Sequence, residues 1–501
     1  MKLLRLVLIL LAGVSGAFGQ ATSFYVSTTG NDSNPGTEAA PWRTVQHAAD
    51  TVHAGSTVNV RGGVYEELVD IKTSGNAADG YITFRSYPGE TAILDAGHFV
   101  PKERSAVLTI HNKSYVRIEG FELRNYRTAE HRLTPLGISV IGSGSHIELL
   151  KNNVHHIEQT FEGRDGPGHG ANGFGIAVYG TDAKIPISEL VIDGNEVHHL
   201  KTGSSESLVV NGNVTNFRIT RNVVHDNNNI GIDVIGFERT APDPAVDQAR
   251  DGVVSGNLVY NIHSRGNPAY QNEENSDGIY VDGGTRILIE QNIMHDDDFG
   301  IELASEHKDR ATSYITARNN LIYHCHTAGV SIGGYAPERG HTEHCTVVNN
   351  TLYENDTSAT GSGELQMQWN MADNIFANNI VYAGPRCLVT VNKSQLGKNP
   401  AATIDHNLYY CASGAKASTW AEASGTVTGF DKYVESTGND RLSKFLDPHF
   451  VDPGAGNFHL QPDSPAISAG SNDGMPVGEL DLEGSPRVKS GKLDIGCYQR
   501  K

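Results

Sequence analysis

The sequence predicts an all-β solenoid, a parallel β-helix, and three observations carry that prediction. First, a phrase of Asn, any residue, an apolar residue, then His or Tyr recurs nine times, at Asn152, Asn195, Asn222, Asn257, Asn292, Asn320, Asn350, Asn379 and Asn407. The steps between copies are 43, 27, 35, 35, 28, 30, 29 and 28 residues, and self-similarity at such a period marks stacked repeats. Second, each phrase is followed by a strand-like alternating run, such as GIDVIG (231–236), GIYVDG (278–283), GIELAS (300–305) and GVSIGG (329–334). FRIT (217–220) and ILIE (287–290) supply a further strand per repeat. Third, the repeat region sustains no helical periodicity, so two or three short strands make one coil.

In chain order, residues 1–19 read as a signal peptide. Lys2 and Arg5 give the positive region, Leu6 to Leu11 the apolar stretch, and Ala17-Phe18-Gly19 a small-x-small cleavage site. No other apolar run approaches a membrane span, so the expectation is a secreted or periplasmic chain without membrane insertion. Residues 20–80 form an N-terminal cap. A strand from Phe24 to Ser27 leads to the turn GNDSNPGT (30–37), a helical stretch (Trp42 to Val52), then Ser56 to Val60 and RGGVY (61–65). Val45, Ala48, Ala49 and Val52 give that helix an apolar face, which can plug the open end of a solenoid. Coils are expected over 81–411. Residues 412–501 divide into a loop-like departure rich in Ala, Ser, Thr and Gly (412–440) and a closing segment that packs back on the last coils (441–501).

The repeated Asn has a mechanical reading. Asn tolerates the left-handed backbone of tight turns, and stacked amides bond from coil to coil. The His or Tyr that ends each phrase likewise reads as a ladder, not a metal site. Five Cys residues fit no zinc motif and leave at least one thiol free. Cys325–Cys345 and Cys387–Cys411 could each bridge neighbouring coils. The net charge of −19 and pI near 5.5 argue against nucleic acid and weigh against a densely anionic substrate. The expected partner is a polysaccharide, and the expected state a monomer.

The segments FYVSTTGNDSNPGT, PWRTVQHAAD and AGSTVNVRGGVY resemble the caps of bacterial β-helix polysaccharide enzymes, and DLEGSPR…DIGCY resembles their closing segments. The resemblance covers most of the mature chain. It implies a single right-handed parallel β-helix of the pectin-lyase-like kind, a fold shared by lyases, hydrolases, epimerases and non-enzymes.

Aligning the coils on their Gly-apolar starts gives the outward residues of one sheet. The first outward position holds Asp233, Tyr280, Glu302, Ser331 and Gln366; the second holds Ile235, Asp282, Ala304, Gly333 and Gln368. Asp233, Asp282 and Glu302 should therefore share a patch, with Tyr280 between them and Trp369 nearby. Asp277 and Asp298, 21 residues apart, are expected to stack just before the strands. Asp277, Asp282, Asp298 and Glu302 become the candidate catalytic residues. Asp233, Tyr280, Glu306, Lys308, Arg339, Trp369 and His169 are candidates for substrate binding. Asp296 and Asp297 read as solvated turn acids. Longer repeat steps place loops at 160–172, 237–250 and 264–275, which could wall a groove.

Two chemistries suit such acids. Glycoside hydrolysis needs one protonated and one ionised carboxyl, a division that mutual repulsion produces, and it needs no metal cofactor. NSDG, a later acidic pair and AGVSIGG resemble the motif order of polygalacturonases, which implies roles for Asp277 and Asp298, with Phe299 standing where those enzymes have a second Asp. GIYVDGGTR followed by an acid resembles β-helix β-xylosidases. That implies Asp282 as nucleophile and Glu302 near the acid/base position, where strand phasing puts Ala304. The second chemistry is a calcium-dependent lyase. Asp277, Asp298 and Glu302 resemble the Ca²⁺ ligands of β-helix pectate lyases, which carry a Lys base at the position of Ser331. The sequence thus ranks hydrolase first, lyase second, and a non-catalytic carbohydrate binder third.

Overall fold

The structure is a computed structural model that describes residues 22–163, 171–271, 273–392 and 402–500. The expected leader at 1–19 and His169 lie outside the described residues. The chain winds as a right-handed β-helix with three strands per coil, stacked into three long parallel sheets of 16, 13 and 13 strands. One coil shows the order: Arg250–Ser255 in the first sheet, Leu258–Ile262 in the second, Asp277–Asp282 in the third. The interior is one continuous column of Val, Ile, Leu and Phe.

The corner between first and second sheets is the most regular part of the molecule. From Leu150 to Leu408 two residues separate the two strands in every coil, the second being the ladder Asn. Every ladder Asn is buried. The Oδ1 of Asn292 accepts from the backbone N and the Nδ2 of Asn257, at 2.9 Å each, and the Nδ2 of Asn292 donates to Asn320 Oδ1 and Val254 O, at 3.0 Å each. The pattern continues to Asn407. The left-handed residue is not the ladder Asn but the one before it: Lys151, Gly194, Arg221, Gly256, Gln291, Asn319, Asn349, Asn378 and His406 have φ between 53° and 66°. The turn is made first, and the next side chain then runs along the axis into the neighbouring coil.

The His/Tyr ladder forms outside the second sheet. His155, His198, His225, Tyr260, His295 and Tyr323 stack with centroids 4.7–5.1 Å apart. Phe458 of the closing segment then packs against both Tyr323 and Tyr353, at 5.2 and 5.1 Å.

Both ends are capped. The helix at Val45–Thr51 is capped by Thr44 and buries Val45, Ala48 and Ala49. The strands Ser23–Val26 and Thr57–Val60 already belong to the first sheet, so the solenoid starts inside the region read as cap. At the far end, 412–440 is not a loop. Thr419–Glu422 joins the third sheet and pairs antiparallel with Gly425–Thr428, and a helix follows at Phe430–Thr437. Trp420 stacks on Tyr433 at 3.9 Å and meets Tyr409 edge-on at 5.0 Å, which plugs the last coil. The closing segment runs along the Asn corner, where Asn319, Asn349 and Asn378 donate to carbonyls of Val477, Leu480, Asp494 and Ser471. Cys387–Cys411 is a disulfide between neighbouring coils. The other proposed bridge does not form: Cys325 and Cys345 are free and buried, as is Cys497.

Candidate active site

The third sheet carries the site. The strands Asp277–Asp282, Phe299–Ala304 and Ala328–Ile332 each carry a Gly as second residue, packed close against the neighbouring corner. A Cβ on Gly278 would stand 2.6 Å from Asp297 Oδ2, and one on Gly300 2.3 Å from Ile322 Cγ2. Those close approaches phase the strands, so Ile279, Val281, Ile301 and Leu303 enter the core while alternate residues face out. Along the first outward position Asp233 pairs with Tyr280, Tyr280 with Glu302, Glu302 with Ser331 and Ser331 with Gln366; Asp282 pairs with Ala304. The first outward row therefore matches the sequence alignment, and the second does so at Asp282 and Ala304, while Ile235 bridges Gly283 and not Asp282.

Outward residues of a solenoid sheet are normally wet. Here Asp233 and Asp277 are each 2% exposed and Asp282 4%, while Glu302 is only half-buried. Loops flanking the third sheet make the cover. The Glu306 N–H donates to Asp282 Oδ1 at 2.8 Å, and Tyr270 packs its hydroxyl against Asn229 Nδ2 at 3.3 Å. Glu302 lies at the centre of a polar web: its Oε1 accepts from Ser331 Oγ at 3.0 Å and from Gln368 Nε2 at 2.9 Å. The charge of the same carboxyl acts on Asp277.

The electrostatics follow. Burial, then the charges of Glu302 and Asp233, push Asp277 well above the usual carboxylate range. Burial and the neighbouring Glu306 charge do the same to Asp282; burial and Glu206 do it to Asp233. Glu206 itself is pushed up to about 8, by burial and then by Glu238. The recess thus gathers, around Glu302, acids whose carboxyls burial pushes upward. Tyr280 forms a small apolar patch on its floor with Ile230 and Ala304.

Asp298 corrects the sequence reading. Phe299, not Asp298, is registered with Asp277, so the true offset is 22 residues. A one-residue slip turns a side chain to the opposite face. Asp298 leaves the recess wall and is fully buried beside His326, whose Nδ1 lies 3.1 Å from Asp298 Oδ1. Its Oδ2 accepts from Ser264 N and Oγ and from Ser276 N. Asp277, Asp298 and Glu302 do not form one ligand set. Asp297 is not a solvated turn acid either. It is fully buried, its Oδ1 accepts from Ile262 N at 3.0 Å, and its Oδ2 has no partner.

Among the candidate binding residues, Asp233, Tyr280 and Glu306 line the recess. Arg339 stands at its rim, over the Tyr335 ring at 4.5 Å and 3.3 Å from Glu306 O. Lys308 is exposed and borders a separate depression with Arg339, His341 and Asn370. Trp369 is half-buried and pairs through its backbone with Gly334. Glu206 and Glu238 were not anticipated. They sit just before and after third-sheet strands, in SSESL and GFER, off the register that the alignment used.

A coiled parallel architecture with a carboxylate-lined recess on one sheet defines the class: a right-handed β-helix of the pectin-lyase-like kind. The chain belongs to the right-handed β-helix family, whose model ("Right handed beta helix region") matches residues 108–350 and 245–429. A second model, "Pel9A-like, right handed beta helix region", matches 24–174 and stops before the recess. The chain is 38% identical over 450 residues to the uncharacterized protein YwoF of Bacillus subtilis (strain 168), covering 89% of this chain and 92% of that one. It is 32% identical over 140 residues to pectate lyase PEL9 of Emericella nidulans, covering 26% of this chain and 34% of that one. The complex of XylC with xylose superposes with a TM-score of 0.50 at 12% identity, over 95% of this chain and 98% of that one, a likeness of fold.

Proposed function

We propose that the protein is an exported carbohydrate-active enzyme that hydrolyses a glycosidic bond in the recess of the third sheet, with Asp282 as general acid and Glu302 as the ionised partner. The observation that carries this reading is the setting of Glu302, half-exposed and held by Ser331 and Gln368, beside acids that burial keeps protonated. Asp282 lies diagonal to Glu302 on the same face, and such neighbours stand about 7–8 Å apart. That span is of the order at which two carboxyls flank a glycosidic oxygen and a water. Asp277, whose carboxyl feels the Glu302 charge, serves as a positioning residue that keeps that carboxylate turned into the recess. Asp282 then protonates the leaving oxygen, and Glu302 takes a proton from water. These roles differ from those the β-xylosidase resemblance implies, because burial marks Asp282 as the protonated member.

The calcium-dependent lyase is the weaker reading. Its third ligand, Asp298, falls out of register with Asp277 and turns toward His326 instead, and Ser331 stands at the base position, bonded to Glu302. A panel of polysaccharides with and without chelator tests the assignment. Reducing ends without ultraviolet-absorbing unsaturation, formed equally with chelator, are expected. Unsaturated products that appear only with calcium would replace this reading with the lyase.

A further inference from the structure

The chemistry-bearing residues outside the recess converge at one place. His263 follows Leu258–Ile262, Asp298 precedes Phe299–Ala304, and His326 follows Leu321–Tyr323, so three successive coils each contribute one side chain. We propose that His263, Asp298 and His326 form a binding site for a divalent transition-metal ion of the zinc class.

The three side chains bring one nitrogen or oxygen atom each to a common point. One ligating atom from each residue lies within 4.8 Å of the other two. The His326 Nδ1 is 3.1 Å and the His263 Nδ1 3.9 Å from the same oxygen, Asp298 Oδ1. Ligands about 2.0–2.1 Å from a tetrahedral zinc stand roughly 3.3 Å from each other, so small adjustments close the set. Both imidazoles turn Nδ1 toward Asp298 Oδ1; they are stacked, with centroids 4.9 Å apart and planes at 16°, so the rings tilt toward one another when both ligate one ion.

An ordinary Asp–His pair explains only half of this. It satisfies His326 but leaves the buried His263 Nδ1 with no hydrogen-bond partner, and 3.9 Å is too long for one with Asp298. Asp298 is meanwhile oriented as metal-ligating carboxylates are. Three donors, Ser264 N, Ser264 Oγ and Ser276 N, hold its Oδ2 at 2.9–3.1 Å and leave Oδ1 to face the imidazoles. Two imidazoles and one carboxylate suit zinc and its neighbours rather than calcium or magnesium, which take oxygen ligands. The same Ser264 and Ser276 bracket the loop between them. Ser264 Oγ accepts from Asn275 N at 2.8 Å and lies 2.9 Å from Glu273 O. A bound ion would therefore tie the base of this loop, which ends one residue before Asp277, across three coils.

The test uses the full-length, untagged protein stripped with chelator. Zinc chloride titrated calorimetrically should bind at one equivalent and raise the melting temperature. Cobalt(II) at the same site should give the visible absorption of a four- or five-coordinate ion. His263→Ala and His326→Ala should each weaken zinc affinity by at least about tenfold, while His111→Ala, at an exposed position on an earlier coil, should leave it unchanged. Failure of the wild type to take up either metal would overturn the proposal, as would wild-type affinity in both His variants. Should a variant not fold, X-ray absorption on the zinc-loaded wild type decides: two imidazoles with oxygen support the site, and sulfur or a single imidazole overturns it. Uptake is read without turnover, so the result is independent of the hydrolytic reading.

Discussion

Glu302 and Asp282 differ in exposure by little more than the width of a loop, yet their surroundings give them opposite tasks. Glu302→Gln and Asp282→Asn should each lower kcat by about 10²–10⁴-fold, the usual contribution of a general acid or base, with thermal unfolding nearly unchanged. Full activity in both would remove the site. Asp297 shows what burial does where no chemistry is involved. Burial holds its carboxyl well above the usual value of 3.8, so its native-state contribution is complete below pH ~4 and is lost as pH rises toward the folded-state pKa. Asp297→Asn lacks that slope. Asn227 and Asn355 occupy the same position in other coils, their Nδ2 groups bonding Val197 O and Ile322 O, so an amide fits. The variant should be the more stable, by about 1–3 kcal/mol, with a margin that grows above pH 4 in urea titrations. At this scale the sequence was legible where strand alternation is strict: Asp233, Tyr280, Asp282 and Glu302 fell on one face. It was illegible at Asp297 and Asp298, because a strand start adds one residue of phase that composition does not reveal.

The Asn corner was the most legible element, since its phrase is short, invariant in spacing within the turn, and tied to one hydrogen-bond pattern. Asn292→Ala removes the acceptor for the Asn257 backbone N–H and amide and a donor to Asn320 and Val254. Leaving such buried groups unpaired should cost about 3–5 kcal/mol, measured as a shift in the urea midpoint. What the phrase concealed was which residue turns the chain. Left-handed φ falls on Lys, Arg, Gln and His as well as Asn and Gly, because the burial and bonding of the next residue over-determine the turn. The plug at 412–440 was missed for the opposite reason. Its Ala, Ser, Thr and Gly content resembles a linker, and the aromatic residues that close the column, Trp420, Phe430 and Tyr433, are scattered along it.

A solenoid is held by contacts between neighbours, so damage should stay local. Trp420→Ala should cost about 3–5 kcal/mol and raise amide exchange in the last coils, while exchange near Val45–Thr51 at the other end stays at the wild-type rate. Uniform loss of protection along the chain would contradict this. The overall class was readable from periodicity, whereas the recess depended on loops whose course no repeat dictates. Every coil from Leu150 to Leu408 spends only two residues at the Asn corner, and the closing segment leans on that edge. Chain of variable length is therefore confined to the two corners that border the third sheet. A relative could exchange the segments at 237–250 or 264–275, acquiring a new specificity, without disturbing one amide of the spine. Loop grafting on this scaffold has its entry points already marked, on the side where ligands would be met.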